Sequence, residues 1–326
     1  METKRPTNPA AEEILGRYFP VLDHGFVALV DYMGSDEDVE RAARVSYGYG
    51  TRRSQETRGL IRYLRRHRHT TPSEMVELKF HCAMPMFVAR QWIRHRMSSV
   101  NEYSGRYSLI PQLFYLPAPE QLQAQSETNR QGRGGEALTA LHPQVAERWT
   151  RLRRDAAQTY EWLVGEDVAR ELARIDLPLS TYTQWYWKID LHNLFHFLSL
   201  RADAHAQYEI RVYARLMAGM VKRVAPFSFE AWFDYEYGGA HLSRTELVAL
   251  RELVGVAGDD LVGAGKRVTA AELTRLGLAK READELRAKL AAAPARDDFD
   301  LDVAQSHSAE EFEARLAEAV PRVDRS

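Results

Sequence analysis

Apolar and polar positions along this chain follow two different periods, and the switches between them mark its elements. Residues 25–34, GFVALVDYMG, form an apolar run bounded by glycines, which predicts a strand. Ser35 and Asp38 then open a short helical stretch that runs to Gly48. In residues 56–70, Leu60, Ile61 and Leu64 share one helical face, while Arg62, Arg65, Arg66 and Arg68 crowd the other. After Pro72 the pattern changes to alternation, with Val76, Leu78 and Phe80 set against Met75 and Glu77, so residues 74–84 read as a strand. Pro85 ends it and suits the first turn of a helix, MFVARQWIRHRM, over 86–97.

Residues 117–143 are rich in Gln, Gly, Pro and Ser and predict a mobile surface loop or insertion. A helical pattern fills 142–171, and β-favouring residues gather around Thr181 to Trp187. Asp190 stands where a cap belongs before LHNLFHFLSLR, and Asp203 likewise before AHAQYEIRVYARLMAGMVKRV. Beyond Gly239 the character changes. Ser243, Thr269 and Ser308 each precede a Glu by three residues and open an amphipathic helical segment. The chain therefore divides into residues 1–239 and a helical extension, 240–326, in which no catalytic cluster stands out. A few strands among many helices, with no regular βαβ rhythm, make the fold class α+β.

Composition narrows the partners. Over 326 residues, 45% hydrophobic and 28% charged with a formal net charge of -2, nothing draws the whole molecule to nucleic acid or to an anionic membrane. No apolar run approaches the ~18 residues needed to span a bilayer, and the first residues lack the apolar core of a secretory signal. Cys82 is the only cysteine, which excludes an intrachain disulfide and a cysteine metal cage. The expectation is a cytoplasmic protein, with Cys82 an inert thiol inside an apolar strand.

The chemistry concentrates in IRHRMSSVNEYSGRYS, Ile93 to Ser108. On a continuing helix Gln91, Arg94 and His95 would share a face, with Trp92, Ile93 and Met97 toward the core. The residues that follow favour turns and end in Arg106. Arginine forks bind phosphate in a bidentate way, and Ser hydroxyls with backbone N–H groups near Gly105 complete a phosphate nest. By composition alone the same stretch also suits a solvated, salt-bridged face, or nonspecific nucleic-acid binding with the RYLRRHRH helix.

The full spacing narrows these readings. Arg94, His95, Arg96, Ser99, Asn101, Glu102, Ser104, Arg106 and Tyr107 occupy nine fixed positions in fourteen, R-H-R-x-x-S-x-N-E-x-S-x-R-Y. This resembles the signature of the flavin-dependent thymidylate synthases. Further segments, among them AARVSYG, HTTPSE, ARIDLPLSTYT and LSLRADAHAQYEIRVYA, are similar to family segments in family order, over roughly residues 20 to 238.

The resemblance implies an α+β fold with a mixed or antiparallel sheet flanked by helices, and a catalytic domain within 1–239. It implies reductive methylation of dUMP to dTMP with methylenetetrahydrofolate as one-carbon donor, FAD as hydride carrier and NADPH as reductant. It also implies a homotetramer whose active sites are shared between chains. Carried over by position, Thr71, Arg94, His95, Arg96, Glu102, Asp190, Leu191, His192 and His196 fall at flavin contacts. Relatives often have Asn at the position of His196. Gln91, Trp92, Ile93 and Arg94, the run Glu102, Tyr103, Ser104, Gly105 and Arg106, and the separate Arg174 and Arg201 fall at dUMP contacts, with Arg201 the group that activates the uracil ring.

Other readings of the same residues are weaker. His192 and His196 have the i, i+4 spacing of a zinc helix but lack its glutamate and a third ligand, so no metal is expected. Ser104 has no paired base in the sequence and is assigned to nucleotide binding. A nonenzymatic nucleotide- or nucleic-acid-binding protein is the alternative class, and the complete motif with its two outlying arginines disfavours it.

Overall fold

The computed structural model describes residues 7–45, 56–127, 132–257, 260–263, 269–276, 278, 280–291 and 295–320. The expected helix end at 46–48 lies outside these residues. From the N-terminus come α1 (Pro9–Glu12), β1 (Tyr18–Val21), β2 (Gly25–Met33), α2 (Asp36–Arg44), α3 (Thr57–Arg66), α4 (Thr71–Glu74), β3 (Glu77–Pro85), α5 (Met86–Trp92) and β4 (Ser99–Glu102). A short hairpin, β5 (Gln123–Gln125) and β6 (Arg133–Ala137), precedes α6 (His142–Gly165), α7 (Arg170–Ala173), β7 (Tyr182–Asp190), α8 (Leu191–Arg201), α9 (Tyr208–Val224) and α10 (Pro226–Trp232). The remaining elements are α11 (Arg244–Leu253), β8 (Val254–Ala257), β9 (Asp260–Gly263), α12 (Ala270–Arg275), α13 (Lys280–Ala291) and α14 (Ala309–Ala319). The chain forms two compact units, Met1–Trp232 with Asp298–Ser326, and Phe233–Asp297.

In the first unit five strands form one sheet in the order β1-β2-β3-β7-β4, every pairing antiparallel. β3 is central because its alternation gives it one wholly apolar face. Leu78, Phe80 and Cys82 are buried and pair across β7 with Ile189, Trp187 and Trp185. The other face carries Lys79, which reaches Asp31 at 3.2 Å, and His81, whose ring stacks on Tyr186 at 4.6 Å. α5, α8 and α9 complete the core on the apolar side. There the fully buried Trp92 meets Trp185, Trp187, Phe197 and Tyr213 at ring distances of 5.1–5.8 Å. Asp190 caps α8 as expected, its Oδ1 accepting from the backbone N–H of Asn193 at 2.9 Å.

The C-terminal segment of this unit returns to β1. Tyr18 and His307 exchange both backbone hydrogen bonds, at 2.8 and 2.7 Å, and Phe312 of α14 packs on Tyr18 and Phe26. The second unit has its own small core of Ala249, Leu273, Leu278, Ala283 and Leu286. Its α11 opens with the expected reciprocal bonds between Ser243 and Glu246. A hairpin, β8 with β9, follows α11, where the helical pattern of the extension predicts no strand.

Four expectations need correction. The helix predicted to Met97 ends at Trp92, because the buried indole anchors its last turn and the chain must then cross to the sheet edge. Ile93 and Met97 accordingly face outward, Met97 at 70% exposure, and Arg94 and His95 lie beyond the helix. The expected hydroxyl-rich loop contains β4, which pairs residue by residue with β7 from Ser99↔Lys188 to Glu102↔Trp185. An unpaired edge of β7 is a stronger demand than local turn propensity. The predicted loop at 117–143 holds the β5–β6 hairpin. Asp203 does not cap α9, which starts at Tyr208; its carboxylate accepts instead from the N–H of His205 at 2.7 Å.

Candidate functional site

Two elements bring the first group of polar side chains together. β7 runs directly into α8, so α8 projects His192, His196 and Arg201 from successive turns. The turn after α5 lays His95 across that helix. Arg201 Nε donates to His95 Nε2 at 3.0 Å, and the His95 ring lies 4.9 Å from Phe197 and 6.0 Å from His196. Accepting this bond requires Nε2 to be unprotonated, so the imidazole is neutral with its proton on Nδ1. Burial, then the charge of Arg201 and the nearness of His196, push its pKa down to about 4.

Arg201 also lines a cleft of about 1270 Å³ with Gln91, Gln207, Tyr208, Glu209, Tyr115, Arg133 and Arg153. Gln91 Nε2 donates to Gln207 Oε1, and Gln207 Nε2 donates to Glu209 Oε2 at 2.9 Å. Glu209 also accepts from Tyr115 at 3.0 Å and pairs with Arg133.

A second cluster lies on the loop after β4. Ser104 folds the loop on itself, its carbonyl accepting from the N–H groups of Tyr107 and Ser108, each at 3.1 Å. Its hydroxyl accepts from the N–H of Arg106 at 3.3 Å. Gly105 is buried; a Cβ there would stand 2.6 Å from Ile110 Cδ1 and 3.2 Å from Arg174 Cδ. The absent side chain is what lets the stem of Arg174 lie against the motif loop. Arg106 pairs with Glu171 at 3.1 Å. Tyr103 donates its hydroxyl to the Leu109 carbonyl at 2.5 Å.

The remaining residues are placed separately. Glu102 accepts from Thr183 Oγ1 at 2.7 Å and faces a cavity of about 360 Å³ with Tyr18, His81, Tyr186 and Phe312. Thr71 begins α4, which packs against α8. Both Asp190 oxygens are engaged by Asn193. Leu191 and Trp92 are wholly buried, and the backbone N–H of Leu191 donates to the Val76 carbonyl at 2.8 Å. Arg94, Arg96 and His196 are exposed. His192 Nδ1 is buried with no hydrogen-bond partner. Exposed guanidiniums suit a pyrophosphate, and a buried imidazole nitrogen without a partner suits a polar ring edge. These donors fit a flavin dinucleotide. Cys82 is fully buried and burial raises its thiol pKa, so it is held as the protonated thiol.

The comparisons agree with this chemistry. The family model described as thymidylate synthase complementing protein matches residues 28–227. The chain is 54% identical over 297 residues to the flavin-dependent thymidylate synthase of Gluconobacter oxydans, across 89% of this chain and 93% of that one. It is 54% identical over 260 residues to the enzyme of the same name from Ruegeria pomeroyi, across 77% and 85%. This chain belongs to the flavin-dependent thymidylate synthase family. Among solved structures it resembles a UMP/dUMP methylase from Streptomyces cacaoi bound with 5-Br UMP. That match has a TM-score of 0.61 and 36% identity, over 67% of this chain and 98% of that one. A complex of the same methylase with 5-Br dUMP matches at 0.60 and 35%.

Sequence reasoning missed several residues that the geometry puts around the motif. Thr183, the partner of Glu102, comes from the neighbouring strand and carries no local signal. Gln207, Glu209, Tyr115 and Arg133 converge from three separate segments. None of these carries a local signal, since an acid in the first turn of a helix, as Glu209 is in α9, is ordinary. Among the described residues no helix is long and apolar enough to cross a membrane.

Proposed function

We propose that the chain methylates dUMP reductively to dTMP, taking the one-carbon unit from methylenetetrahydrofolate and releasing tetrahydrofolate. FAD, when bound, carries hydride, with NADPH as the reductant. The observation that carries this reading is Arg201, which lines one cleft with Gln91 while its Nε–H is held by His95.

Methylation at uracil C5 needs electron density there. A guanidinium at the N3–O edge favours the ionised imide, because opposite charge stabilises the anion, and the ring then becomes nucleophilic at C5. Arg201 is suited to this because burial has stripped some of its hydration and His95 fixes the direction of its Nε–H. A neutral His95 orients the cation without competing for charge. In this reading the motif loop and Arg174 hold the nucleotide phosphate, and Arg106 exchanges its exposed bond to Glu171 for it. Gln91 contacts the nucleotide from the end of α5. Thr71, Arg94, His95, Arg96, Glu102, the Asp190–His192 turn and His196 face the flavin. His95 thus lies where the two ligands meet.

The exposure of Arg94 and Arg96 supports a site completed by other copies of the chain, and we assign a homotetramer with shared active sites. The single, buried cysteine supports a cytoplasmic enzyme. The test is direct. Purified protein supplied with FAD, dUMP, methylenetetrahydrofolate and NADPH should form dTMP, with flavin absorption at tetramer mass. A flavin-loaded tetramer that makes no dTMP under these conditions overturns the reading.

A further inference from the structure

The cleft contains a chain of hydrogen bonds whose polarity is set by one buried charge. Glu209 is 3% exposed, in the first turn of α9. Burial alone would raise its pKa, but hydrogen bonds from Arg133 and Gln207 and the charge of Arg133 more than reverse that and hold it ionised. An ionised carboxylate only accepts. Tyr115 donates to Oε1 at 3.0 Å, while Arg133 and Gln207 donate to Oε2. Gln207 must therefore turn its NH2 toward Glu209 and its carbonyl oxygen away. That oxygen accepts from the NH2 of Gln91. Each step removes one choice of amide orientation, and the last turns the Gln91 carbonyl oxygen away from Gln207, in the cleft that both side chains line.

We infer that Arg133, Glu209 and Gln207 are positioning residues that fix the amide of Gln91 so that it presents a hydrogen-bond acceptor to a donor group of the nucleotide. This rests on the reading of Gln91 as a nucleotide contact. The relay reaches the site from outside the signature motif. Arg133 comes from the β5–β6 hairpin, where its other guanidinium nitrogen donates to the Gln121 carbonyl at 2.6 Å. The hairpin thereby couples to nucleotide binding without touching the nucleotide. Without the buried carboxylate, both amides can turn over and Gln91 can offer a donor to a donor, which loses the hydrogen bond.

A double-mutant cycle on the flavin-loaded enzyme tests this, with dUMP affinity read from the flavin absorbance change and KM measured in parallel. Gln91→Ala should raise the Kd for dUMP about tenfold, the value of one such bond. Glu209→Gln, or Gln207→Leu at an exposed position, should raise it by a comparable factor. Combined with Gln91→Ala, neither should add to the loss, because the amide they orient is gone. Penalties that multiply, or Gln207→Leu and Glu209→Gln proteins that bind dUMP as tightly as the parent, overturn the relay. If Glu209→Gln does not fold, the Gln207→Leu cycle alone decides. A Gln91→Ala protein with unchanged affinity instead overturns the nucleotide contact beneath it, which is a separate result.

Discussion

Arg201 Nε and His95 Nε2 lie 3.0 Å apart, a cation donating to a neutral imidazole in a half-buried setting. The pair joins the first motif of the chain to a residue 106 positions later. It also makes the site sensitive to acid. The His95 imidazole titrates near 6.5 in an unfolded chain and near 4 in the fold. Between those values the unfolded state holds more protons, so stability falls as pH drops from 6.5 toward 4 and is fully present above 6.5. Melting temperatures measured across this window should fall more steeply for the parent than for His95→Gln, which has nothing to protonate there. Parallel curves would remove His95 as the cause.

Arg201→Ala should reduce dTMP formation by two to three orders of magnitude, roughly the effect of deleting one preorganised group that faces developing charge. Arg201→Lys should recover part of it. A lysine restores the charge, but its flexible ammonium does not reproduce the planar fork held by His95. Single-turnover rates in flavin-loaded protein measure this. Full activity in the alanine variant would dismiss the ring-activation role.

Cys82→Ala should remain active. The thiol is buried in β3 and held protonated, and its loss removes a small apolar group worth about 1 kcal/mol of stability. Urea titration gives the stability and product assay the turnover. A folded, flavin-loaded Cys82→Ala protein that makes no dTMP would return the thiol to the mechanism.

Gly105→Ala puts a methyl group 2.6 Å from Ile110 Cδ1 and 3.2 Å from Arg174 Cδ. Relief requires the loop or the arginine stem to move, at a cost of about 1–3 kcal/mol. The expected outcome is weaker dUMP binding with flavin affinity retained, read by titrating each ligand separately. Equal loss of both would point to general disruption of the loop.

Phe312→Ala should destabilise the first unit by about 3 kcal/mol, since the ring is 5% exposed and packs on Tyr18 and Phe26. It also walls the cavity that Glu102 faces. Thermal unfolding would show the loss; an unchanged melting temperature would mean that α14 is not held there in solution.

The sequence by itself determined the family, the motif and the strands whose periodicity is local. Nine fixed residues in fourteen are legible because a binding loop needs its side chains in one stretch of backbone. The apolar alternation of β3 and the Asp190 cap are legible because each is satisfied within a few residues. Tertiary structure decided the rest. β4 exists because the edge of β7 needed a partner, a demand no residue between Ser99 and Glu102 announces. α5 stops where Trp92 locks into rings from β7, α8 and α9. The bond between His95 and Arg201, and the run from Arg133 through Glu209 to Gln91, depend on which distant backbones the core brings within 3 Å or so. Hydrogen bonding at that range follows from packing, and packing is a property of the whole fold.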